Sequence, residues 1–168
     1  MIGNNVYGCS NSEEPEKIYY YNHGDNPYNI TKCGNVGTST GWAAYSDSLY
    51  MWANDYNATY LAASSKIDVT NISKLHCVVN QTMKSRHSIT SFALDTGRPS
   101  NDSQHGQYRV IDISTYLHSY NDNLVTYIGD ADVGDFILDV SGLTGEYYLT
   151  FKYAHNGHMY IYEVYGVE

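Results

Sequence analysis

The chain has 168 residues and a net charge of −9, from nine Lys plus Arg against 18 Asp plus Glu, with 19 tyrosines, 14 glycines and only 16% charged residues. That length suggests one domain and the aromatic content speaks against intrinsic disorder. The acidic balance disfavours nucleic acid or an anionic membrane as partner, because neutralising phosphates takes the opposite charge. No apolar run reaches the roughly 18 residues of a bilayer-spanning helix, so membrane insertion is not expected.

Residues 1 to 16, closing on Asn11-Ser12-Glu13-Glu14-Pro15-Glu16, carry no periodic pattern and read as a polar leader or linker, with a single domain over 17 to 168. The first ten residues lack the basic and apolar regions of a secretory signal. From Lys17 onward, short runs of β-branched and aromatic residues are separated by Gly, Asn, Asp and Ser clusters, which predicts strands. They fall at Lys17 to Asn22, Gly41 to Tyr45, Ser48 to Ala53, Thr59 to Ala63, Leu75 to Asn80 and His87 to Leu94. Further runs follow at Tyr108 to Ile113, Leu124 to Ile128, Asp135 to Val140, Glu146 to Tyr153 and His158 to Val164. Ser114 to Tyr120 reads as a helical turn or a loop. In the penultimate run Tyr147, Leu149, Phe151 and Tyr153 share one face, so one side of that strand is buried. Asn156-Gly157 is the preferred centre of a type I′ turn, so the last two strands are expected to pair as a hairpin with His155 opposite His158. Many short strands, no long helical pattern and no repeat of 20 to 50 residues predict an all-β fold, an antiparallel β-sandwich of jelly-roll type.

The chemical candidates are few. Cys9, Cys33 and Cys77 have neither CxxC spacing nor an even count and read as buried or free thiols, with a Cys9 to Cys33 bridge as the one alternative. Asp130, Asp132 and Asp135 gather carboxylates in one loop, where a structural calcium could bind, although the EF-hand Glu and flanking helices are missing. Otherwise no cofactor is expected. His155 and His158 would need further ligands to hold zinc or copper, and a polar hairpin tip is the simpler reading. No Gly-x-Ser-x-Gly elbow occurs, and Gly34, Gly37 and Gly41 come without a phosphate-loop Lys, so neither a hydrolase nor a nucleotide site is signalled. Asn-x-Ser/Thr at Asn29, Asn57, Asn71, Asn80 and Asn101 reads as incidental in a chain so rich in these residues.

What remains is aromatic and amide surface. Tyr19, Tyr20, Tyr21, Tyr28, Trp42, Tyr45, Tyr50, Trp52, Tyr56 and Tyr60 crowd the first third, interleaved with Asn22, Asn26, Asn54 and Asn57. Aromatic faces stack on sugar rings while amides and carboxylates bond the hydroxyls, so a glycan site is sought at Trp42, Trp52 and Tyr56, with Asn54 and Asp55 as polar partners. The competing expectation is that either Trp belongs to the core.

Tyr19-Tyr20-Tyr21-Asn22-His23-Gly24-Asp25, Asn29-Ile30-Thr31, Thr40-Gly41-Trp42 and Lys66-Ile67-Asp68-Val69-Thr70-Asn71-Ile72-Ser73-Lys74-Leu75 occur in that succession. The chain closes on Phe136-Ile137-Leu138-Asp139-Val140-Ser141-Gly142-Leu143-Thr144-Gly145-Glu146-Tyr147-Tyr148-Leu149 and a last strand to Glu168. In these stretches, over about 17 to 168, the chain resembles β-sandwich domains of phage and prophage tail-associated proteins from Gram-positive gut bacteria. The resemblance implies a non-enzymatic jelly-roll module similar to carbohydrate-binding domains, placed on a tail fibre, baseplate or virion decoration. It implies host-surface polysaccharide or other virion proteins as partners and favours a homotrimer. The heavy tyrosine content and the His155 to His158 segment depart from the usual pattern. Assembly in the host cytoplasm and residence on the virion would follow. The alternative is a bacterial carbohydrate-binding module or adhesin domain, extracellular or on the cell surface.

Overall fold

The structure, a computed structural model, describes residues 13–36, 40–53, 58–83, 89–106, 109–112, 118–121, 124–127, 133–154 and 157–168. Within them lie strands β1 (Ile18–Asn22), β2 (Thr31–Val36), β3 (Thr40–Ala44), β4 (Leu49–Ala53), β5 (Thr59–Asp68), β6 (Lys74–Met83) and β7 (Ile89–Asp95). β8 (Arg109–Asp112), β9 (His118–Asn121), β10 (Leu124–Tyr127), β11 (Val133–Asp139), β12 (Glu146–Ala154) and β13 (Gly157–Val167) follow. One sheet has the order β11-β6-β13-β4-β3, with β1 also paired to β13; the other runs β2-β5-β12-β7-β8; β9 and β10 pair with each other. All pairings are antiparallel. The fold is an antiparallel β-sandwich of jelly-roll type, as the strand pattern predicts.

Strict alternation builds the core. In β4 Leu49, Met51 and Ala53 point inward, and in β13 Met159 and Ile161 do the same; they meet Tyr60, Phe92, Leu149, Phe151 and Tyr153 of the other sheet. Phe92 and Phe151 stack at 5.3 Å, and burying such a ring contributes about 1.5–3 kcal/mol. A β-bulge interrupts β13 between Ile161 and Glu163, where β6 advances by one residue only. Tyr162 is the extra residue. The bulge resets the alternation so that Val164 returns to the core.

Three departures from the sequence reading stand out. The Asn156-Gly157 hairpin does not form between β12 and β13, because Ala154 pairs with Thr59 and Ile89 in the second sheet while Gly157 pairs with Ala53 and Met83 in the first. Turn chemistry specifies a reversal, and the buried faces of both strands decide which sheet each joins. β2 has no counterpart in the predicted strands, since its Thr-Lys-Cys-Gly-Asn-Val sequence lacks an apolar alternation. β9, whose His118 to Tyr120 fall in the stretch read as a helical turn or loop, pairs with β10.

The framework motifs prove to be interlocking turns. Asp68 Oδ1 accepts from the Thr70 amide at 2.9 Å and its hydroxyl at 2.6 Å, and these bonds hold the carboxyl below its usual range. Thr70 Oγ1 in turn accepts from the Gly145 amide at 3.0 Å, tying the turn after β5 to the one before β12. Cys33 and Cys77 are free thiols.

Candidate functional site

The outward face of the first sheet gathers aromatic rings from two strands far apart in sequence. β4 reads Leu-Tyr-Met-Trp-Ala, so inward Leu49, Met51 and Ala53 force Tyr50 and Trp52 outward. β13 places His158 and Tyr160 outward by the same rule and lies directly alongside, with Tyr160 opposite Tyr50 and His158 opposite Trp52. Tyr45, in the turn from β3 to β4, completes the group and is 49% exposed. The Tyr50 and Tyr160 rings stack at 4.5 Å and 21°, Tyr50 and Trp52 at 5.1 Å and 25°, Tyr45 and Tyr50 at 5.8 Å and 30°. Tyr162, outward by the same alternation, continues the row at 6.5 Å and 13° from Tyr160. Rings this close and this nearly parallel overlap in offset stacks, each partly roofing the next.

Polar groups line the row. Asn80 of β6 lies opposite Tyr160 and bonds Tyr162. His158 lies 5.7 Å from the Tyr50 ring, and His23 approaches both Tyr162, at 6.0 Å, and Glu163, at 3.9 Å. Burial, helped by Tyr160 and Tyr45, raises the Tyr50 phenol, and burial with Asp47 raises Tyr162, so both keep their protons at neutral pH. The result is a partly wet apolar surface edged with donors and acceptors.

Trp42 and Trp52 do not share this surface. Trp42 pairs with inward-facing Met51 and packs against the core, stacked on Tyr60 at 5.8 Å and 4°, whereas Trp52 pairs with Gly41 on the outside. Asn54, Asp55 and Tyr56 lie outside the described residues, as do Asp130, Asp132 and His155. Asp135 is described and lies on β11: its carboxylate lies 2.9 Å from Nδ1 of His76, which sits diagonally across on β6, Asp135 itself pairing with Val78. Among the described residues no group of three or more His, Cys, Asp or Glu side chains stands close enough to hold a metal ion. Tyr160, Tyr162 and Asn80 are site residues that the sequence reading passes over, and His158 enters it only as a metal ligand or a polar hairpin tip. Their signal was present in the His-Met-Tyr-Ile-Tyr alternation, but the adjacency of β13 to β4 is a matter of tertiary pairing.

Further along the same face, Tyr165 is closed in by His76, stacked at 4.6 Å and 8°, and by the Lys17 ammonium 4.5 Å from its ring centroid. A depression of about 350 Å³ opens beside it, floored by Pro15, Ile137 and Val167 and flanked by Glu14, Lys17 and Lys74.

The outward face of the second sheet is covered instead. The segment 96–106 crosses it, with Arg98 donating to the Ala63 and Ser64 carbonyls of β5 and with the Ser100 backbone filling the space above Gly34. Beneath it, Thr150 Oγ1 lies 2.6 Å from Asp95 Oδ2 and 3.0 Å from His105 Nδ1, and His105 Nε2 lies 2.6 Å from Ser91 Oγ. With Asp95 ionised, Thr150 donates to it, His105 Nδ1–H donates to Thr150, and Nε2 accepts from Ser91. This has the parts of a nucleophile and base. Yet Ser91 is 5% exposed, the His105 and Asp95 side chains 4% and 1%, so the relay is sealed from substrate and fastens the covering segment to the sheet.

No protein-family profile and no curated protein matches the sequence. Among solved structures the chain is similar to a CBM29-2 mutant of carbohydrate-binding module family 29 complexed with cellulohexaose, at 8% identity and TM-score 0.49, over 90% of this chain and 89% of that one. It is similar also to CBM86, a low-affinity xylan-binding module from the gut symbiont Roseburia intestinalis, at 7% identity and TM-score 0.43, over 82% of this chain and 92% of that one. The enzymatically active domain of tailspike protein 4 of bacteriophage CBA120 aligns at 10% identity and TM-score 0.50, over 90% of this chain and 21% of that one. At such identity the tailspike likeness speaks for the fold alone.

Proposed function

We propose that the chain is a non-enzymatic glycan-binding module whose contact surface is the aromatic face of Tyr45, Tyr50, Trp52, Tyr160 and Tyr162. The observation that carries this reading is the clustering of five large rings on an outward face, Tyr45 exposed and the other four half-buried, because a contiguous aromatic surface left partly open marks an interaction site. Sugar rings present apolar C–H faces ringed by hydroxyls. The exposed parts of the rings take the C–H faces, while Asn80, His158, His23 and Glu163 stand where hydroxyls would need partners. A neutral glycan fits better than a polyanion on a chain of net charge −9.

In the setting suggested by the framework motifs, the module sits on a phage tail fibre or virion decoration, holds host-surface polysaccharide or packs on other virion proteins, and assembles as a trimer. The same face would serve a bacterial carbohydrate-binding module or adhesin. Neighbouring tail and capsid genes would support the first setting, and neighbouring glycosidase genes the second. Native mass measurement tests the trimer.

Affinity electrophoresis through gels containing xylan, galactomannan or mixed-linkage β-glucan, together with a glycan array that includes Gram-positive wall polysaccharides, tests recognition. Retardation or array binding that is lost in Trp52→Ala and Tyr160→Ala is expected. No binding to any of these glycans would overturn the proposal, and hydrolysis of any of them would overturn its non-enzymatic part.

A further inference from the structure

Trp52 owes its place in the row to the residue beside it. Gly41 of β3 is its register partner on the outward face, and a Cβ built on Gly41 would fall 1.6 Å from Trp52 Cζ2 and 2.1 Å from both Cε2 and Cη2. All three of its nearest neighbours belong to this indole, so the six-membered ring of Trp52 occupies the volume that any other residue at 41 would fill with its own side chain. Gly41 has no positive φ, so glycine is not required there by the backbone. What requires it is the indole.

We propose that Gly41 is a positioning residue of the glycan site: it lets the Trp52 indole recline over the edge strand β3 and so fixes the ring at the end of the stacked row. The proposal rests on the glycan reading for its functional consequence, though the positioning itself does not. The obstructing atoms are the far end of a side chain, so a methyl group at 41 displaces the indole and leaves the backbone pairing of β3 with β4 in place. The contrast is Gly34, where an added Cβ would meet the Ser100 backbone at 2.6 Å and the covering segment must shift. With a methyl group at 41 the Trp52 indole must leave its present seat, which alters its 5.1 Å stack on Tyr50 at the end of the row.

The test uses the full chain in a Trp42→Phe background, which leaves Trp52 as the sole indole. Gly41→Ala is expected to change acrylamide quenching of Trp52 fluorescence and the near-ultraviolet circular dichroism, with the thermal midpoint nearly unchanged. Retardation in the xylan, galactomannan and β-glucan gels is expected to weaken by about tenfold, as for loss of one aromatic anchor. Gly97→Ala, whose Cβ would meet nothing within 4 Å, serves as the control that should change neither signal. Unchanged quenching and dichroism in Gly41→Ala would overturn the positioning role. An altered optical signal with glycan binding intact in both Gly41→Ala and Trp52→Ala would instead overturn the glycan reading and leave Gly41 as the seat of the indole.

Discussion

The two outer faces of the sandwich are built from the same alternating strands and treated in opposite ways. On the second sheet small and polar side chains, Ala63, Ser91, Ala93, Asp95 and Thr150, are buried under the segment 96–106. On the first sheet large rings remain at the surface with no chain laid across them among the described residues. The difference teaches that burial here does not follow hydrophobicity. A carboxylate and an imidazole are sealed away where Thr150, Ser91 and the Gly106 amide partner them, while tryptophan and tyrosine stay partly wet on the opposite face.

The comparison can be broken most forcefully at Asp95. Asp95→Ala removes the acceptor of the Thr150 hydroxyl and of the Gly106 amide, at 2.6 and 3.1 Å. Urea unfolding should show a loss of about 2–4 kcal/mol, as expected when buried donors are orphaned. A loss no larger than that of an ordinary surface change would mean that the covering segment is held by something other than this relay.

Gly34→Ala attacks the same face sterically and should destabilise by about 1–3 kcal/mol, since backbone rather than side chain stands in the way. Glycan affinity of the folded fraction should be untouched, because the change lies on the far side of the molecule. A marked affinity loss would couple two faces that the structure keeps apart.

Trp52→Ala should do the reverse. An affinity loss of at least about tenfold, near 1.4 kcal/mol, is expected by titration with the best-retained polysaccharide, with unfolding free energy changed by under about 1 kcal/mol. Trp42→Ala should instead lower stability and spare affinity, because that indole lies on Tyr60 inside the sandwich.

The smallest effect sharpens the comparison kinetically. Burial pushes the Cys33 thiol up to about 11, an effect that nearby Arg98 only partly offsets. In a Cys9→Ser background, alkylation by iodoacetamide at pH 8 should run well below the rate of a free thiol, since the thiolate is scarce. His105→Ala, by loosening the covering segment, should speed it.

Much of this arrangement is legible in the sequence, and the limits have physical causes. The Leu-Tyr-Met-Trp-Ala and Met-Tyr-Ile-Tyr alternations state which residues face out, and the Asp68 to Thr70 turn states where the chain reverses. Which outward faces become neighbours is stated nowhere locally. Trp42 and Trp52 seem a pair only until the β3 to β4 register sets Met51 against the first and Gly41 against the second. The same gap explains the missing hairpin: Asn-Gly chemistry concerns four residues, whereas the choice of sheet for β13 depends on burying Met159 and Ile161 against the opposite layer.

β13 has one further property, which concerns force. Along one edge it holds β4 through Gly157 to Ile161 and β1 through Glu163 to Gly166, with Ile18 opposite Gly166. β1 therefore begins and β13 ends at one pole, and Trp52 and His158 stand near the other, about 25 Å away at the usual rise per residue. Tension applied through Ile18 and Gly166 would peel β1 from β13 rung by rung, starting at the pole where β1 begins and β13 ends. The β4 and β6 ladders around Tyr160 would be reached last, so β1 would part from β13 while the aromatic row still stood.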